Sequence, residues 1–120
     1  IPWDGLSNAL VASAFGFTVS ENITLGSMVN YENLDNYQTA IHEYFKYLKF
    51  GFGRASDHAS LHIRRKRITR ETGMEIVKRL DGKFPWEYLG QSLEETLKPL
   101  EMTVEEFIKI CDQFTNKKLL

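Results

Sequence analysis

The chain has 120 residues, of which 42% are hydrophobic and 26% charged, so it lies in the ordinary globular range with one modest core. Its longest apolar stretch, residues 9–17, is too short to span a bilayer, and its start lacks the features of a secretory signal. The single cysteine, Cys111, cannot form an internal disulfide, which is typical of a reducing compartment. We therefore expect a soluble cytoplasmic protein and, because residue 1 is Ile rather than Met, a piece of a longer polypeptide.

The formal net charge of −1 conceals a segregation along the chain. Residues 1–50 carry two Lys against five acids, residues 51–80 carry eight Lys or Arg against three acids, and residues 81–120 carry five Lys against eight acids. A cationic segment between two acidic ones is a candidate site for phosphate, nucleotide or nucleic acid. The commoner origin of such a run is a solvated basic face packed against acidic neighbours.

The first predicted element is a short helix over residues 8–14. Asp4 or Ser7 can cap it, and Gly16 can end it in a left-handed conformation. Residues 17–33 show no clear period and contain several Asn, so we predict a loop with at most a short extended piece at residues 17–19.

The strongest helical pattern covers about residues 34–49, where apolar residues recur at spacings of three and four. This predicted core face consists of Leu34, Tyr37, Ile41, Phe45 and Leu48. The opposite, polar face consists of Asp35, Gln38, His42, Lys46 and Lys49.

Two further helices are predicted in the basic segment. The first covers about residues 56–65, with Ala55, Ala59 and Ile63 as a packing stripe and with Asp57, His58, Arg64 and Arg65 projecting elsewhere. The next begins after a Thr69 cap and runs to Leu80, with Ile76, Val77 and Leu80 on its core side.

The C-terminal third carries the clearest helix signals. Ser92 with Glu95, and Thr103 with Glu106, have the spacing of capping boxes, and we expect a short helical turn from Pro85 to Leu89. No alternating pattern is long enough to anchor a sheet. The predicted fold class is therefore mainly α, with about five helices joined by short loops.

Several residues could carry chemistry. His58 and His62 lie four apart on one predicted helix, a spacing that two metal ligands can share, but a third ligand is missing and no metal site is predicted. Cys111 belongs to an apolar stripe, so we interpret it as a core residue. The turn over residues 49–54 places glycines between two cations and could hold a phosphate, although a plain helical connection needs the same glycines. The run of cations over residues 64–67 could equally contact nucleic acid.

A set of motifs spread over nearly the whole chain resembles one known family. The set consists of Leu-Gly-Ser-Met-Val-Asn-Tyr-Glu-Asn-Leu-Asp at 25–35, His-Glu-Tyr-Phe-Lys at 42–46, Lys-Phe-Gly-Phe-Gly-Arg-Ala-Ser-Asp at 49–57, Ile-Arg at 63–64, Ile-Thr-Arg-Glu-Thr-Gly at 68–73 and Asp-Gly-Lys-Phe-Pro at 81–85. Together they resemble the C-terminal part of N-acetyl sugar amidotransferases. These are PP-loop ATP pyrophosphatases that act in bacterial surface-polysaccharide and flagellin-glycan synthesis, of the kind associated with pseudaminic and legionaminic acids.

This resemblance implies an enzyme that uses ATP and Mg²⁺ to activate the acetamido oxygen of a sugar or nucleotide-sugar substrate. Ammonia from a separate glutaminase partner then displaces that oxygen to give an acetamidino group. The Ser-Gly-Gly-x-Asp-Ser phosphate loop of the superfamily does not occur here. The resemblance therefore implies that residues 1–30 are a remnant of a preceding α/β nucleotide-binding domain, that residues 31–120 form a helical C-terminal domain, and that this part alone holds neither ATP nor Mg²⁺.

The resemblance also suggests which side chains line the shared cleft. Asp57 with His58 could relay protons from ammonia, whereas the other groups could bind substrate or phosphate. These are Asn30, Tyr31, Asp35, His42, Lys49, Arg54, Arg64, Arg70 and Glu71. The alternative is that Arg54, Asp57, Arg64 and Glu71 form ion pairs that hold three helices together.

Two other functions stay open. One is a noncatalytic helical module that binds nucleic acid, although the slightly acidic chain makes nucleic acid an unlikely partner. The other is a docking surface for a homodimer or a glutaminase, in which Glu94, Glu95, Glu105 or Glu106 would take part. No membrane partner is expected.

Overall fold

In the computed structural model, which describes residues 2–120, the chain is mainly α-helical, as predicted. Six α-helices follow one another, with one short hairpin and one 3-10 helix between them. The elements are α1 (Gly5–Ser13), α2 (Thr39–Phe50), α3 (Arg54–Arg64), α4 (Arg70–Leu80), β1 (Glu87–Tyr88), β2 (Gln91–Ser92), α5 (Leu93–Leu97), the 3-10 helix (Lys98–Leu100) and α6 (Val104–Phe114). No helix within residues 2–120 is long and apolar enough to cross a membrane.

The main core lies between α2, α5 and α6. Its buried members are Leu48, Leu93, Leu97, Phe107 and Cys111. Phe107 lies edge-on to the rings of Phe45 and Phe84, with centroid distances of 5.8 and 5.9 Å. Burial raises the pKa of the Cys111 thiol to about 11, in keeping with its interpretation as a core residue.

Both predicted capping boxes are present. The Ser92 and Thr103 hydroxyls accept the N–H groups of Glu95 and Glu106, and each glutamate carboxylate accepts a hydrogen bond from the cap residue's own N–H. Thr69 likewise caps α4 by accepting from the Thr72 N–H. These three helix starts are where the sequence predicts them.

A second, smaller packing contact joins α3 and α4. Ala55 and Ala59 are buried, as predicted, and Gly73 lies under the Ile63 side chain. A Cβ at Gly73 would lie only 2.7 Å from Ile63 Cδ1, so the two helices approach closely there.

Three predicted details are wrong. Helix α2 begins at Thr39 rather than near residue 34, because Asn36 accepts the Gln38 N–H through its side chain and closes a turn instead. Residues 85–89 are not helical: Leu89 and Gly90 both have positive φ and close the β1–β2 hairpin. His58 does not project away from the packing stripe but is buried on it.

Residues 2–38 contain α1 and a long irregular segment. Helix α1 begins at Gly5, so that Asp4, one of the two predicted caps, is at the N-cap position, although its side chain makes no capping hydrogen bond. None of the residues of α1 is buried. Gly16 has a φ of 95° just beyond it, as its predicted role requires. The prediction that the chain is a piece of a longer polypeptide rests on Ile1, which lies outside the described residues.

Candidate functional site

A cavity of about 520 Å³ opens between α1, α3 and the irregular segment before α2. Its walls combine aromatic rings with polar side chains. The aromatic lining is Trp3, Phe17 and Tyr31, and the polar lining includes Glu32, Arg54, His58 and His62. Such a mixture of apolar wall and few convergent polar groups is typical of a small-molecule site.

Glu32, Arg54 and His58 form the polar floor of this cavity. Together with Ser27, which is buried beside His58 and does not line the cavity, they form a network that we call the Glu32 cluster. Arg54 donates through Nε and Nη2 to Glu32 Oε1 and Oε2, both at 2.8 Å. His58 Nε2 lies 3.0 Å from Glu32 Oε1, and its Nδ1 lies 3.4 Å from Ser27 Oγ. In the neutral ring, Nε2 therefore carries the proton and Nδ1 accepts from Ser27.

Local structure explains how these residues meet. Arg54 and His58 lie four residues apart on α3, so they share one face of the helix. Glu32 comes from the irregular segment, and the residue after it, Asn33, has a φ of 57° and accepts a hydrogen bond from Tyr88 Oη. The hairpin thus fixes the loop that presents Glu32 to α3.

The Glu32 cluster is electrostatically balanced. Burial raises the pKa of the Glu32 carboxyl, but hydrogen bonds from Arg54 and His58 outweigh burial and lower it to about 2. Hydrogen bonding to Glu32 likewise raises the pKa of Arg54. Glu32 is therefore an anion, and Arg54 a cation, throughout the physiological range.

The glycine turn between α2 and α3 does not leave its N–H groups free for phosphate. Gly51 ends α2 with a φ of 76°, and its N–H donates to Tyr47 O. The Asp81 carboxylate accepts from Gly53 N at 2.8 Å, Ala55 N at 3.1 Å and Ser56 Oγ at 2.6 Å. An internal carboxylate thus occupies the helix terminus that could have held an external anion.

A second internal carboxylate neutralises part of the basic segment. Asp4, just before α1, forms ion pairs with Arg65 and Arg67 at the end of α3. A hydrogen bond from Arg67, and then one from Ser7, holds the pKa of Asp4 well below its usual range. These pairs tie α1 to α3 over the cavity and leave fewer cations for the nucleic-acid alternative.

The structure brings three of the predicted site residues to the cavity, namely Tyr31, Arg54 and His58. Asp57 lies beside them but faces Lys46 and, at 3.8 Å, Arg54 Nη1, rather than His58. The Asn30 side chain donates to Ser20 O within the irregular segment. Of the alternative ion-pair set, Arg54 and Asp57 do pair with each other.

The other predicted site residues lie elsewhere. Asp35, Arg64, Arg70 and Glu71 are exposed and do not line the cavity. His42 and Lys49 line a separate groove of about 440 Å³ on α2, together with Phe45, Lys46, Phe50 and Phe52. The predicted residues are therefore spread over the cavity, the groove and other positions, and they do not form one cleft within the described part of the chain.

Sequence reasoning did not single out Glu32, Ser27 or Asp81, and it named Asp4 only as a possible helix cap. Glu32 lies within the motif that carries the family resemblance, directly after Tyr31, so that motif was a signal for it. Asp81 also lies in a quoted motif. Nothing in the spacing of Asp4 or Ser27 indicates their long-range partners.

The described residues contain no group of three or more His, Cys, Asp or Glu side chains that could hold a metal ion. His62, the second histidine of the predicted pair, has its pKa lowered by burial and then by the nearby Arg67. Of the four glutamates named for a docking surface, Glu94, Glu95 and Glu105 line one surface cavity at the start of α6, together with Lys98. Glu95 and Glu106, however, already serve as helix caps.

Comparison with known proteins gives one family match. The model of the family described as LPS biosynthesis protein WbpG-like, C-terminal domain, matches residues 25–120. This range includes Ser27, Glu32, Arg54 and His58, but not α1. No curated protein matches the chain.

Proposed function

Since the chain belongs to the WbpG-like family of LPS biosynthesis proteins, as part of the C-terminal domain, we propose that it is the helical part of an ATP-dependent N-acetyl sugar amidotransferase. The enzyme would convert an acetamido group into an acetamidino group during synthesis of a bacterial surface glycan, either LPS O-antigen or a flagellin nonulosonic acid. The observation that carries this proposal is the cavity whose floor is the Glu32 cluster and whose wall is aromatic.

The cavity suits a sugar because of the hydrogen-bonding capacity that remains on Glu32. Each carboxylate oxygen can accept two hydrogen bonds. Oε1 already accepts from Arg54 and His58, whereas Oε2 accepts only from Arg54. One acceptor position on Oε2 therefore remains for a sugar hydroxyl, and Trp3 and Phe17 offer apolar surface for the ring.

His58 and Ser27 act in this proposal as positioning residues. Ser27 is 1% exposed and His58 is 6% exposed, so neither can receive a substrate without rearrangement. Their hydrogen bonds fix the orientation of the Glu32 carboxylate, which is the group that faces the cavity. The proton relay suggested for Asp57 with His58 stays a prediction, and the ion pairs of Asp57 with Lys46 and Arg54 argue against it.

The reaction itself needs ATP and ammonia. The acetamido oxygen attacks the α-phosphorus of ATP and releases pyrophosphate, ammonia adds to the activated carbon, and the C–O bond then breaks to release AMP. The nitrogen loses a proton to its surroundings and stays on the carbon as the amidine. Residues 2–120 contain no group of three or more His, Cys, Asp or Glu side chains that could hold a metal ion.

We further infer that the part of residues 1–30 that precedes the family match belongs with a nucleotide-binding domain and that α1 packs against it. Two observations support this inference: α1 buries none of its residues, and the family match begins only at residue 25. Exposed apolar side chains such as Leu10, Val11 and Phe15 would then be covered by that domain. A glutaminase partner would supply ammonia to the same enzyme.

The decisive experiment is an assay of the full-length protein with ATP, ammonia and an acetamido sugar. Production of AMP together with the mass change for replacement of oxygen by NH is the expected result. Glu32→Gln should raise KM with little change in kcat, because the residue holds the sugar. Arg64→Gln, on the exposed face of α3, is the matched control. Consumption of ATP without an amidine product would contradict the proposal.

A further inference from the structure

A group of exposed apolar side chains surrounds the C-terminal end of α2, far from any role in the proposed reaction. Phe50 and Phe52 flank Gly51 and are 60% and 42% exposed. Leu119 and Leu120 of the C-terminal segment are 58% and 47% exposed. Large apolar side chains exposed together on one surface mark an interaction site more often than single exposed residues do.

These side chains form one continuous patch because the C-terminal segment folds back onto α2. Asn116 donates through its N–H to Leu48 O at 2.8 Å and through Nδ2 to Lys49 O at 3.3 Å. Leu119 then lies against the turn, since a Cβ at Gly51 would be 3.5 Å from its Cβ. We call the surface formed by Lys49, Phe50, Phe52 and residues 117–120 the α2-end patch.

The side chains of the patch carry positive charge without opposing acidic side chains. Lys49, Lys117 and Lys118 are exposed and form no ion pair among residues 2–120. The Lys49 ammonium lies 5.1 Å from the centre of the Phe114 ring, and Phe114 is itself 50% exposed. Neither residues 44–56 nor residues 113–120 contain an acidic side chain.

We propose that the α2-end patch binds an anionic phospholipid surface peripherally. Exposed Phe and Leu side chains mixed with Lys are the combination that inserts into the headgroup region while the ammonium groups contact lipid phosphates. The positive charge of Lys49, Lys117 and Lys118 requires an anionic partner, and the exposed Phe50, Phe52, Leu119 and Leu120 beside them require one that also accepts apolar side chains, as an anionic lipid surface does. The expectation of no membrane partner rested on the absence of a spanning segment, which peripheral binding does not need.

The groove beside the patch adds a place for a headgroup. It is lined by His42, Lys46, Lys49, Phe50 and Phe52, with the Lys46 ammonium 5.0 Å from the centre of the Phe52 ring. Lys46 is paired with Asp57, so Lys49 is the cation at the groove that remains available to a lipid phosphate. This inference stands independently of the amidotransferase proposal, since none of these residues lines the cavity at the Glu32 cluster.

Vesicle sedimentation tests the proposal. The 120-residue protein should bind vesicles of equimolar phosphatidylglycerol and phosphatidylcholine, should bind vesicles of phosphatidylcholine alone much more weakly, and should dissociate as salt rises. Lys117→Gln with Lys118→Gln should weaken binding on the order of 25-fold, at about fivefold for each lysine. Phe50→Ser with Phe52→Ser should weaken it by a similar factor or more.

Matched controls keep the test specific. Lys78→Gln with Lys98→Gln removes two exposed lysines outside the patch, and Phe15→Ser removes a phenylalanine that is 87% exposed. Circular dichroism should show every variant folded, because all the altered side chains are exposed. The proposal is overturned if the wild type ignores anionic vesicles, if it binds both vesicle types equally, or if the control variants weaken binding as much as the patch variants do.

Discussion

Helices α1 and α6 are both rich in apolar residues, yet the protein holds them by different means. Helix α6 buries Phe107 and Cys111 in the main core, whereas α1 buries no residue. The apolar residues of α6 recur with the helical period and form one stripe, but Leu10 and Val11 of α1 are adjacent and point in different directions. Apolar content without period therefore gives a helix that lacks a packing face in this domain.

What holds α1 is surface electrostatics. Asp4 pairs with Arg65 and Arg67, and Arg65 also donates to the Trp3 carbonyl. Exposed ion pairs contribute about 0–1 kcal/mol each, much less than a buried aromatic ring. The Glu32 cluster is intermediate, because it is partly buried and joins the irregular segment to α3. The comparison predicts that the loss on mutation follows the degree of burial.

The largest effect is expected at Phe107. Its ring is 2% exposed and contacts both Phe45 and Phe84. Phe107→Ala should lower the free energy of unfolding by about 3–5 kcal/mol through lost burial and the resulting cavity. Urea unfolding followed by circular dichroism measures this loss. Phe15→Ala, on the exposed segment after α1, should change it by less than about 0.5 kcal/mol, and equal losses at the two positions would break the comparison.

The Glu32 cluster should make the free energy of unfolding fall at acid pH. Because hydrogen bonds lower the Glu32 pKa from 4.5 to about 2, the native state binds fewer protons than the unfolded state between these values. The stabilisation is therefore complete above about pH 4.5 and is lost as pH falls towards 2. After allowance for solvent screening, it should amount to about 2 kcal/mol.

Glu32→Gln tests this dependence on pH directly. The variant should be less stable than wild type at neutral pH, and the difference should shrink as pH falls through the same window. Glu71→Gln is the control, since Glu71 is exposed and makes no ion pair among residues 2–120. A difference that stayed constant with pH would show that Glu32 acts by packing rather than by its charge.

The parts of the fold that sequence predicted are those determined by local chemistry. The two capping boxes and the Thr69 cap depend on residues three apart, and the stripe on α6 depends on a simple period. The early start predicted for α2 failed because a side-chain turn at Asn36 competes with the helix. The hairpin was not predicted because its strands have only two residues each, too few to show an alternating pattern. Its connection, Leu89 and Gly90, has positive φ at both positions.

The candidate site was predictable only in part, for a related reason. Arg54 and His58 share a helix face, so their proximity follows from spacing, whereas Glu32 reaches them from a segment without period. Asp81 and Asp4 act across 28 and 61 residues of sequence respectively, at Gly53 and Arg65. Contacts of this range depend on tertiary packing, which no local pattern encodes.

The cap of α6 should contribute less than the Glu32 cluster. Thr103→Ala removes the acceptor for the Glu106 N–H and should cost about 1 kcal/mol. Thr103→Ser keeps the hydroxyl and should stay close to wild type in the same urea measurement. A loss at Thr103→Ala as large as that at Phe107→Ala would mean that capping, and not burial, dominates at α6. Charge reversals at Glu95 or Glu106 would be confounded by these caps, so Glu94 and Glu105 are the cleaner positions for testing a docking surface.

The smallest global effect is expected at Asp4. Asp4→Asn weakens the pairs with Arg65 and Arg67, but the free energy of unfolding should stay close to that of the wild type because these pairs are exposed to solvent. Amide hydrogen exchange over residues 5–13 should nevertheless become faster, because these pairs hold α1 in place while none of its side chains is buried. Asp112→Asn, an exposed change on α6, should leave that exchange unaltered.

A clear loss of global stability in Asp4→Asn would mean that α1 unfolds together with the core, and the contrast with α6 would fail. Faster exchange confined to α1 would have a consequence for the cavity, because Trp3 and residues of α1 form one of its walls while the Glu32 cluster forms the floor. The Glu32 cluster would then be a stable part of residues 25–120, whereas the wall formed by Trp3 and α1 would depend on the solvent-screened ion pairs of Asp4. Even binding of a neutral acetamido sugar at such a site should weaken as salt rises, since salt loosens the wall and not the ligand's own contacts.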